Sequence, residues 1–327
     1  MAGSALFSRP GRAGTTGGFC LQSRSRAVNG HLGLIHSILP ATVSLNVQIP
    51  DSHPSARNLG SERVGSGTII ESDGYILTVH YVTIGASSIV VTLSDGEQYP
   101  AQIAAQDQET GLSLLKIAER GLPYLKLAPP DSVRLGQEAV MIGSAGQNSR
   151  RVSGGYVSSL DPYDGEWEYM IDKTIRVTAF NPGFGGCTLA NFRGELIGVV
   201  SLNLSEVGKF SLAIPIDYYR THEHELKQYG QVRSRPRRPW LGVYTQPMAG
   251  HVVVGGLVPH GPAAKFGMRQ GDIILSVEKN EIRSRQELYQ EMWKKRPGER
   301  ISFRILRDDQ SLDLEVVGGD RADRYKT

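Results

Sequence analysis

The sequence predicts an all-β protein with two folded units: a larger one built from many short strands, and a smaller one of mixed strand and helix. Three observations lead to this prediction. The chain of 327 residues exceeds one ordinary domain. Its 38 Gly and 17 Pro, against 7% aromatic residues, favour a turn-rich β architecture. Short β-forming runs recur with turn dipeptides between them, which is typical of a barrel or sandwich.

Composition and charge exclude several functional classes. The hydrophobic share of 39% supports a buried core, and a net charge of +3 does not indicate nucleic-acid binding. No run of 18 apolar residues predicts a membrane span. The two cysteines, Cys20 and Cys187, do not predict a disulfide, because Cys20 falls in a polar tail. No cofactor or metal is expected, since the histidines of His222-Glu-His-Glu225 would point to different helix faces.

Residues 1–35 are rich in Gly, Ser and Arg, and we expect a disordered basic tail. Arg9, Arg12, Arg24 and Arg26 precede the first acidic residue, Asp51, which fits a mitochondrial-type transit peptide. A disordered tail, or residues added by an upstream start codon, are the alternatives. A secretory signal fits worse, because no apolar stretch precedes a small-residue cleavage site. The sequence leaves the compartment undetermined, and a cytoplasmic location is the default prediction because there is no clear secretory signal or transmembrane helix.

Strand-like runs fill the larger unit, predicted at residues 36–230. They are Thr42–Val47, Gly67–Glu71, Tyr75–Thr78, Ser88–Leu93, Leu112–Ile117, Ala139–Ile142, Thr174–Ala179, Glu195–Ser201 and Lys209–Ile214. A helix at Asp217–Tyr229 closes this unit. The basic, Pro-containing segment 231–238 is interpreted as a solvated linker.

The smaller unit is predicted at residues 239–320, with a short tail at 321–327. A strand is expected at His251–Leu257 and a helix from Ser284 to about Lys295, where Ser284 and Glu287 form a capping box. The runs Arg300–Leu306 and Leu312–Val317 predict a hairpin around residues 308–310.

Taken in order, these motifs resemble the HtrA/Deg family, a trypsin-like double β-barrel followed by one PDZ domain. The motifs that carry the resemblance are Gly65-Ser-Gly-Thr-Ile-Ile, Asp73-Gly-Tyr-Ile-Leu-Thr, Leu112-Ser-Leu-Leu-Lys, Gly194-Glu-Leu-Ile-Gly, Phe210-Ser-Leu-Ala-Ile-Pro and Gly261-Pro-Ala-Ala…Gly267-Met…Gly271-Asp-Ile-Ile. The likeness runs from about Ile38 to Val317, most of the chain.

The chain departs from the family at all three catalytic positions. The family's T-N-x-H-V is matched by Thr78-Val-His-Tyr-Val, which places Tyr81 at the histidine position. Gly111 stands at the aspartate position of D-L-A-L-L-K, and Gly185 stands at the serine position of N-P-G-N-S-G-G-P-L. A serine protease needs a hydroxyl nucleophile, an imidazole base and an orienting carboxylate, so the sequence predicts a pseudoprotease.

Three further features of the degenerate site bear on activity. The resemblance implies an oxyanion hole from the backbone N–H groups of Gly183 and Gly185, which the glycine-rich loop still offers. The alternative to a pseudoprotease is a non-standard peptidase, in which Cys187 serves as nucleophile and His80 as base. Phe184, before the lost serine, either occupies the cleft or packs against the barrel.

The PDZ-like unit keeps the features needed to bind peptides. In such domains a peptide adds as a strand to a sheet edge and its terminal carboxylate is held by backbone N–H groups. Trp240-Leu241-Gly242-Val243 resembles that carboxylate loop. Leu288 and Met292, four residues apart on one helix face, are expected either to wall the groove or to lie in the core.

The resulting hypothesis is an inactive HtrA-like protein that binds peptides, protein C-termini or unfolded chains through its PDZ domain. Its role would be that of an adaptor, a chaperone-like protein or a regulatory subunit in protein quality control. The resemblance implies a homo-oligomer, a trimer by family habit, or a mixed assembly with an active relative.

Overall fold

The structure is a computed structural model that describes residues 32–205 and 208–323. Most of the tail predicted at 1–35, and the end of the one predicted at 321–327, lie outside the described residues. Residues 32–38 are helical, so the last residues of the predicted tail belong to a helix. Ile38, at the end of this helix, is fully buried in the core of the larger unit.

Six antiparallel strands close the first barrel, in the order β1-β2-β3-β6-β5-β4. They are β1 (Thr42–Gln48), β2 (Glu62–Ile69), β3 (Tyr75–Val79), β4 (Ser88–Thr92), β5 (Gln98–Asp107) and β6 (Leu112–Ile117). Two short helices, α1 (Ala56–Leu59) and α2 (His80–Thr83), lie in the connections. Because α2 begins directly where β3 ends, His80 and Tyr81 stand at the mouth of this barrel.

A second closed barrel follows, with strand order β11-β14-β13-β12-β7-β8. Its strands are β7 (Glu138–Gly146), β8 (Ser149–Ser159), β11 (Ile175–Val177), β12 (Cys187–Asn191), β13 (Leu196–Leu204) and β14 (Phe210–Pro215). Between β8 and β11 the chain forms a separate hairpin of β9 (Tyr163–Gly165) and β10 (Tyr169–Ile171). Its tip, residues 164–168, extends towards the C-terminal unit.

Helix α3 (Asp217–Tyr229) closes the barrel unit, and a second domain with its own core follows. Its main sheet has the order β16-β17-β18-β20-β21, in which β16 is an edge strand, and a small pair of strands joins the two ends of the domain. Its elements are β15 (Pro239–Trp240), β16 (Val243–Met248), β17 (His251–Leu257), α4 (Pro262–Lys265), β18 (Ile273–Val277), β19 (Asn280–Glu281), α5 (Arg285–Met292), β20 (Arg300–Arg307), β21 (Gln310–Val317) and β22 (Gly319–Asp320).

The all-β prediction is confirmed, and several elements have the predicted bounds. Helix α3 begins and ends where expected, and Gly230 ends it in the left-handed conformation (φ +71°). Helix α5 is shorter than predicted, because it ends at Met292. Strands β5, β8 and β12 were not predicted; β8 is largely exposed and polar, so its apolar alternation is weak.

The linker at 231–238 is not a solvated tether, and this interpretation is wrong. Arg235 forms a salt bridge of 2.7 Å with Asp107, a carboxylate that is only 5% exposed. Arg238 pairs with Glu109 at 2.7 Å, and its guanidinium lies 4.0 Å from the Trp293 ring centroid. The arginines therefore bind the linker against both units, and the charge of the segment alone could not reveal their partly buried acidic partners.

Candidate functional site

The loop that resembles a protease nucleophile loop lies between the two barrels. Ser66, in β2 of the first barrel, donates its backbone N–H to the Gly185 carbonyl at 2.8 Å. The Ser66 hydroxyl donates to the Phe184 carbonyl at 2.9 Å. These bonds attach the loop, which belongs to the second barrel, to the first barrel, and they place residue 185 close to the start of α2.

Tyr81 occupies the space that a side chain at position 185 would need. A Cβ built on Gly185 would overlap the Tyr81 hydroxyl and lie 2.8 Å from its Cζ. The hydroxyl donates to the Ser201 carbonyl at 2.9 Å, and burial raises the pKa of Tyr81 to about 12. A phenol with such a pKa stays protonated at neutral pH and is a poor base.

Gly111, predicted at the position of the orienting carboxylate, lies beside the residue that precedes Tyr81. Its carbonyl accepts the His80 backbone N–H at 2.8 Å, so it adjoins the start of α2. Gly111 has a φ of +81°, and a Cβ there would lie 3.2 Å from the Tyr169 hydroxyl. Positions 81 and 185 are thus in contact, and position 111 adjoins the start of α2, while the side chains at these positions supply no nucleophile, imidazole or carboxylate.

The thiol of Cys187 is fully buried and hydrogen-bonded. It donates to Asn181 Oδ1 at 2.7 Å and lies 3.0 Å from the Phe184 carbonyl oxygen. Burial raises the pKa of Cys187 to about 11, so the thiolate is scarce at neutral pH.

Among the hydrogen bonds of the described residues, none joins His80 to Cys187. Its Nε2 atom is buried and finds no hydrogen-bond partner among the described residues. Burial, with the nearby cation Arg321 as the next cause, lowers the pKa of His80 to about 4. His80 is therefore a neutral imidazole held inside the fold.

One of the two predicted oxyanion-hole donors is engaged inside its own loop. The Gly183 N–H donates to Asn181 Oδ1 at 3.0 Å, so it is engaged within its own loop. The same amide oxygen accepts the Cys187 thiol, so Asn181 holds both ends of the loop. Phe184 is 36% exposed.

A second constellation is built around the turn that leads into β16. The backbone N–H groups of Leu241, Gly242 and Val243 all donate to one carboxylate, that of Glu168. The three N···O distances are 2.9, 2.6 and 2.9 Å in that order. Gly242 makes this convergence possible, because its φ of +80° lies in the left-handed region that favours glycine.

Glu168 reaches this turn from the tip of the β9–β10 hairpin. The residue is 1% exposed, and its own φ is +58°. Burial raises the pKa of the Glu168 carboxyl, while the three N–H donors and Arg321 act in the opposite direction. Nothing in the sequence singled out Glu168, because it lies about seventy residues before the N–H groups it meets.

The remaining residues of the predicted groove lie in or beside the C-terminal core. Leu288 and Met292 are fully buried and belong to the same apolar cluster as Leu241 and Val243. Met170, from strand β10, belongs to this cluster as well. Trp240 is half-buried in β15, where it pairs with Gly319. The loop, the helix and the hairpin thus share one region.

Within residues 32–205 and 208–323, no three His, Cys, Asp or Glu side chains are grouped so that they could hold a metal ion. Over the same residues, no helix combines the length and apolar character that a membrane crossing requires.

Comparisons with known proteins agree with this two-part architecture. Residues 65–199 match the model of a trypsin-like peptidase domain, and residues 239–317 match that of a PDZ domain. A probable periplasmic serine endoprotease, DegP-like, from Halomonas elongata is 32% identical over 84% of this chain and 60% of its own length. A protein of the same description from Pseudomonas putida is 32% identical over 83% and 59%. The chain thus spans about three fifths of these relatives.

Solved structures show the same similarity. The structure of the HtrA-type protease AlgW with a decapeptide superposes with a TM-score of 0.55 and 29% identity. It covers 89% of this chain and 98% of the solved one.

The default prediction of a cytoplasmic location is wrong. The curated relatives of this chain carry names that place them in the periplasm. The charge and hydrophobicity of the N-terminal residues do not identify a compartment.

Proposed function

We propose that this chain, which carries a trypsin-like peptidase domain of the HtrA/DegP type followed by a PDZ domain, binds peptides and proteins without cleaving them. The relatives are named endoproteases, and this chain would differ from them in having no peptidase activity. The contact between Tyr81 and Gly185 is the observation that carries the proposal.

This contact removes both the nucleophile and the space for one. Acyl transfer requires a hydroxyl or thiol at the attacking position and a base within hydrogen-bond reach. At position 185 there is no side-chain atom, and the phenol of Tyr81 fills the volume where one would project. Its hydroxyl donates to a backbone carbonyl, and burial raises the pKa of Tyr81 to about 12, so the phenol stays protonated and does not act as a base at neutral pH. A substrate in the cleft would meet no attacking group.

The geometry around Cys187 argues against the alternative peptidase. The thiol is buried, its pKa is raised to about 11, and its hydrogen-bond partners are an amide, a carbonyl and a hydroxyl. None of these groups can remove the thiol proton at neutral pH. His80 would have to leave its buried position and become basic again, against a pKa of about 4.

The turn at residues 241–243 supports a retained binding function. Three backbone N–H groups that converge on one carboxylate are the arrangement by which a PDZ domain holds a peptide C-terminus. This binding needs no catalytic residue. We therefore propose that the partners are peptides or proteins with a free C-terminal carboxylate, and that the role is that of an adaptor or a chaperone-like subunit.

The assembly and location of the protein belong to the same proposal. The names of its relatives support a periplasmic place of action. The resemblance to HtrA proteins supports a homo-oligomer, or a mixed assembly with an active relative. The barrels would then serve as scaffold.

The test is to incubate the purified protein with casein and to search for cleavage products by mass spectrometry, with Cys187→Ala and an active HtrA-type protease in parallel. We expect no products from the parent or from the variant. Products from the parent that disappear in Cys187→Ala would contradict the proposal and identify the thiol as the nucleophile.

A further inference from the structure

The carboxylate loop of the PDZ domain already holds a carboxylate, and it comes from the same chain. Glu168 Oε1 accepts the N–H groups of Gly242 and Val243, and Oε2 accepts that of Leu241. A peptide C-terminus bound in PDZ fashion would require the same donors. Because each N–H group donates strongly to one acceptor at a time, the two carboxylates exclude each other.

The backbone of the hairpin tip also follows the course expected of a bound peptide. Strand β16 is the edge of its sheet, and an edge strand offers unpaired N–H and C=O groups to an added segment. The Thr245 N–H, in β16, donates to the Glu166 carbonyl at 3.0 Å. The hairpin tip therefore accepts one hydrogen bond from the edge strand at the Glu166 carbonyl, and three from the loop at the Glu168 carboxylate.

Helix α5 holds the opposite side of the tip. Tyr289 donates its hydroxyl to the Gly165 carbonyl at 2.7 Å. Arg285 forms a salt bridge of 2.6 Å with Asp164, and both side chains are about one fifth exposed or less. Gln286 donates to the other oxygen of Asp164 at 3.2 Å. The tip thus lies between β16 and α5, which are the two elements that border a PDZ peptide groove.

We propose that the hairpin tip, residues 164–168, is an internal ligand of the PDZ groove, with the Glu168 carboxylate in the place of a peptide's terminal carboxylate. The inference rests on the proposed peptide-binding function and adds its regulation. An external peptide with a free C-terminus binds only when the tip has left the groove. Its apparent affinity is therefore reduced by the fraction of molecules in which the groove is open.

The proposal is tested in the full chain with Glu168→Gln, which keeps the size of the side chain and removes its charge. Glu166→Gln is the matched control, because the Glu166 side chain is exposed and only its carbonyl contacts β16. The probe is a fluorescent peptide that ends in an apolar residue with a free carboxylate. The same peptide with a C-terminal amide is the control ligand, and fluorescence anisotropy measures the dissociation constants.

We expect Glu168→Gln to bind the acid peptide about 10-fold more tightly than the parent, or better, while Glu166→Gln matches the parent. The amidated peptide should bind none of them well, since it lacks the carboxylate. Equal affinity of the parent and Glu168→Gln for the acid peptide would overturn the proposal, because the tip would then not compete.

A second measurement without any peptide separates this proposal from the proposed function. Hydrogen exchange at the amides of residues 241–243 should be slow in the parent and in Glu166→Gln, and faster in Glu168→Gln. If this difference is found but no peptide binds any variant, the internal ligand is supported and the peptide-binding function fails. If exchange is the same in all three proteins, the internal ligand is refuted, whether or not peptides bind.

Discussion

At the scale of single residues, Tyr81 and Gly185 fit each other. A tyrosine at position 81 needs a neighbour without a side chain, and glycine at 185 leaves a void that the phenol fills. The Tyr81 hydroxyl finds an acceptor in the Ser201 carbonyl, so this packing leaves no unsatisfied donor there. The two residues therefore form one packed unit, and a change of either one alone would disturb it.

We accordingly expect Gly185→Ser to destabilise the fold by about 1–3 kcal/mol, because its Cβ overlaps the Tyr81 hydroxyl. Urea denaturation measures this loss. In a Tyr81→Ala background, Gly185→Ser should lower the free energy of unfolding by clearly less than it does in the parent. The difference between the two losses is the coupling energy of the pair. Gly154→Ser is the matched control, since a Cβ there has only an ordinary contact at 3.9 Å. A Gly185→Ser protein as stable as its parent would contradict the described packing.

At the scale of elements, helix α5 depends on its N-cap. The Ser284 hydroxyl accepts the Glu287 N–H at 3.2 Å, as the capping box predicts. The Glu287 carboxylate, however, accepts the N–H of Arg283 at 2.7 Å rather than that of Ser284. The Glu287 carboxylate therefore binds the residue before the N-cap and not the N-cap residue itself. Together the two side chains still satisfy the N–H groups of Glu287 and Arg283.

Removing the cap should weaken this helix. Ser284→Ala is expected to lower the free energy of unfolding by about 1 kcal/mol, because the Glu287 N–H loses its acceptor. Thermal and urea denaturation of the full chain report the change. Ser311→Ala, at an exposed position of β21, should stay within about 0.5 kcal/mol of the parent. Equal effects of the two substitutions would argue against a role of the cap.

At the scale of the whole molecule, the linker and the hairpin tip join the barrels to the PDZ domain. Arg235 and Arg238 attach the linker to Asp107 and Glu109 of the first barrel. Arg238 also stacks on Trp293, directly after helix α5. Partly buried charge pairs of this kind depend on both partners, and removal of one leaves the other uncompensated.

Arg238→Ala should therefore expose the linker to proteolysis. Trypsin does not cut before proline, so its sites in this segment are the bonds after Arg233 and Arg237. We expect limited trypsin digestion to cut the variant about 10-fold faster than the parent, because cleavage follows the population of the open linker. Arg300→Ala, which breaks an exposed pair with Glu315, should not change the rate. An unchanged rate in Arg238→Ala would mean that the linker is not held by this arginine.

The predicted trypsin-like double β-barrel followed by a PDZ domain is confirmed by the two closed barrels, the matching domain models and the AlgW structure. The domain boundaries and the site residues stay predictions, and so does the loss of peptidase activity. Strand β12 was missed because its residues were interpreted as part of the glycine-rich loop, and β5 because Pro100 and several alanines weaken its strand pattern.

The sequence by itself determined the fold class and helix α3, because these depend on local pattern and on residue identity. Only the tertiary structure decided that Tyr81 fills the space beside Gly185, that Cys187 is buried away from a base, and that Glu168 occupies the carboxylate loop. The physical reason is that each of these contacts joins residues far apart in the chain, and burial, not composition, sets the chemistry of a thiol, a phenol or a carboxylate.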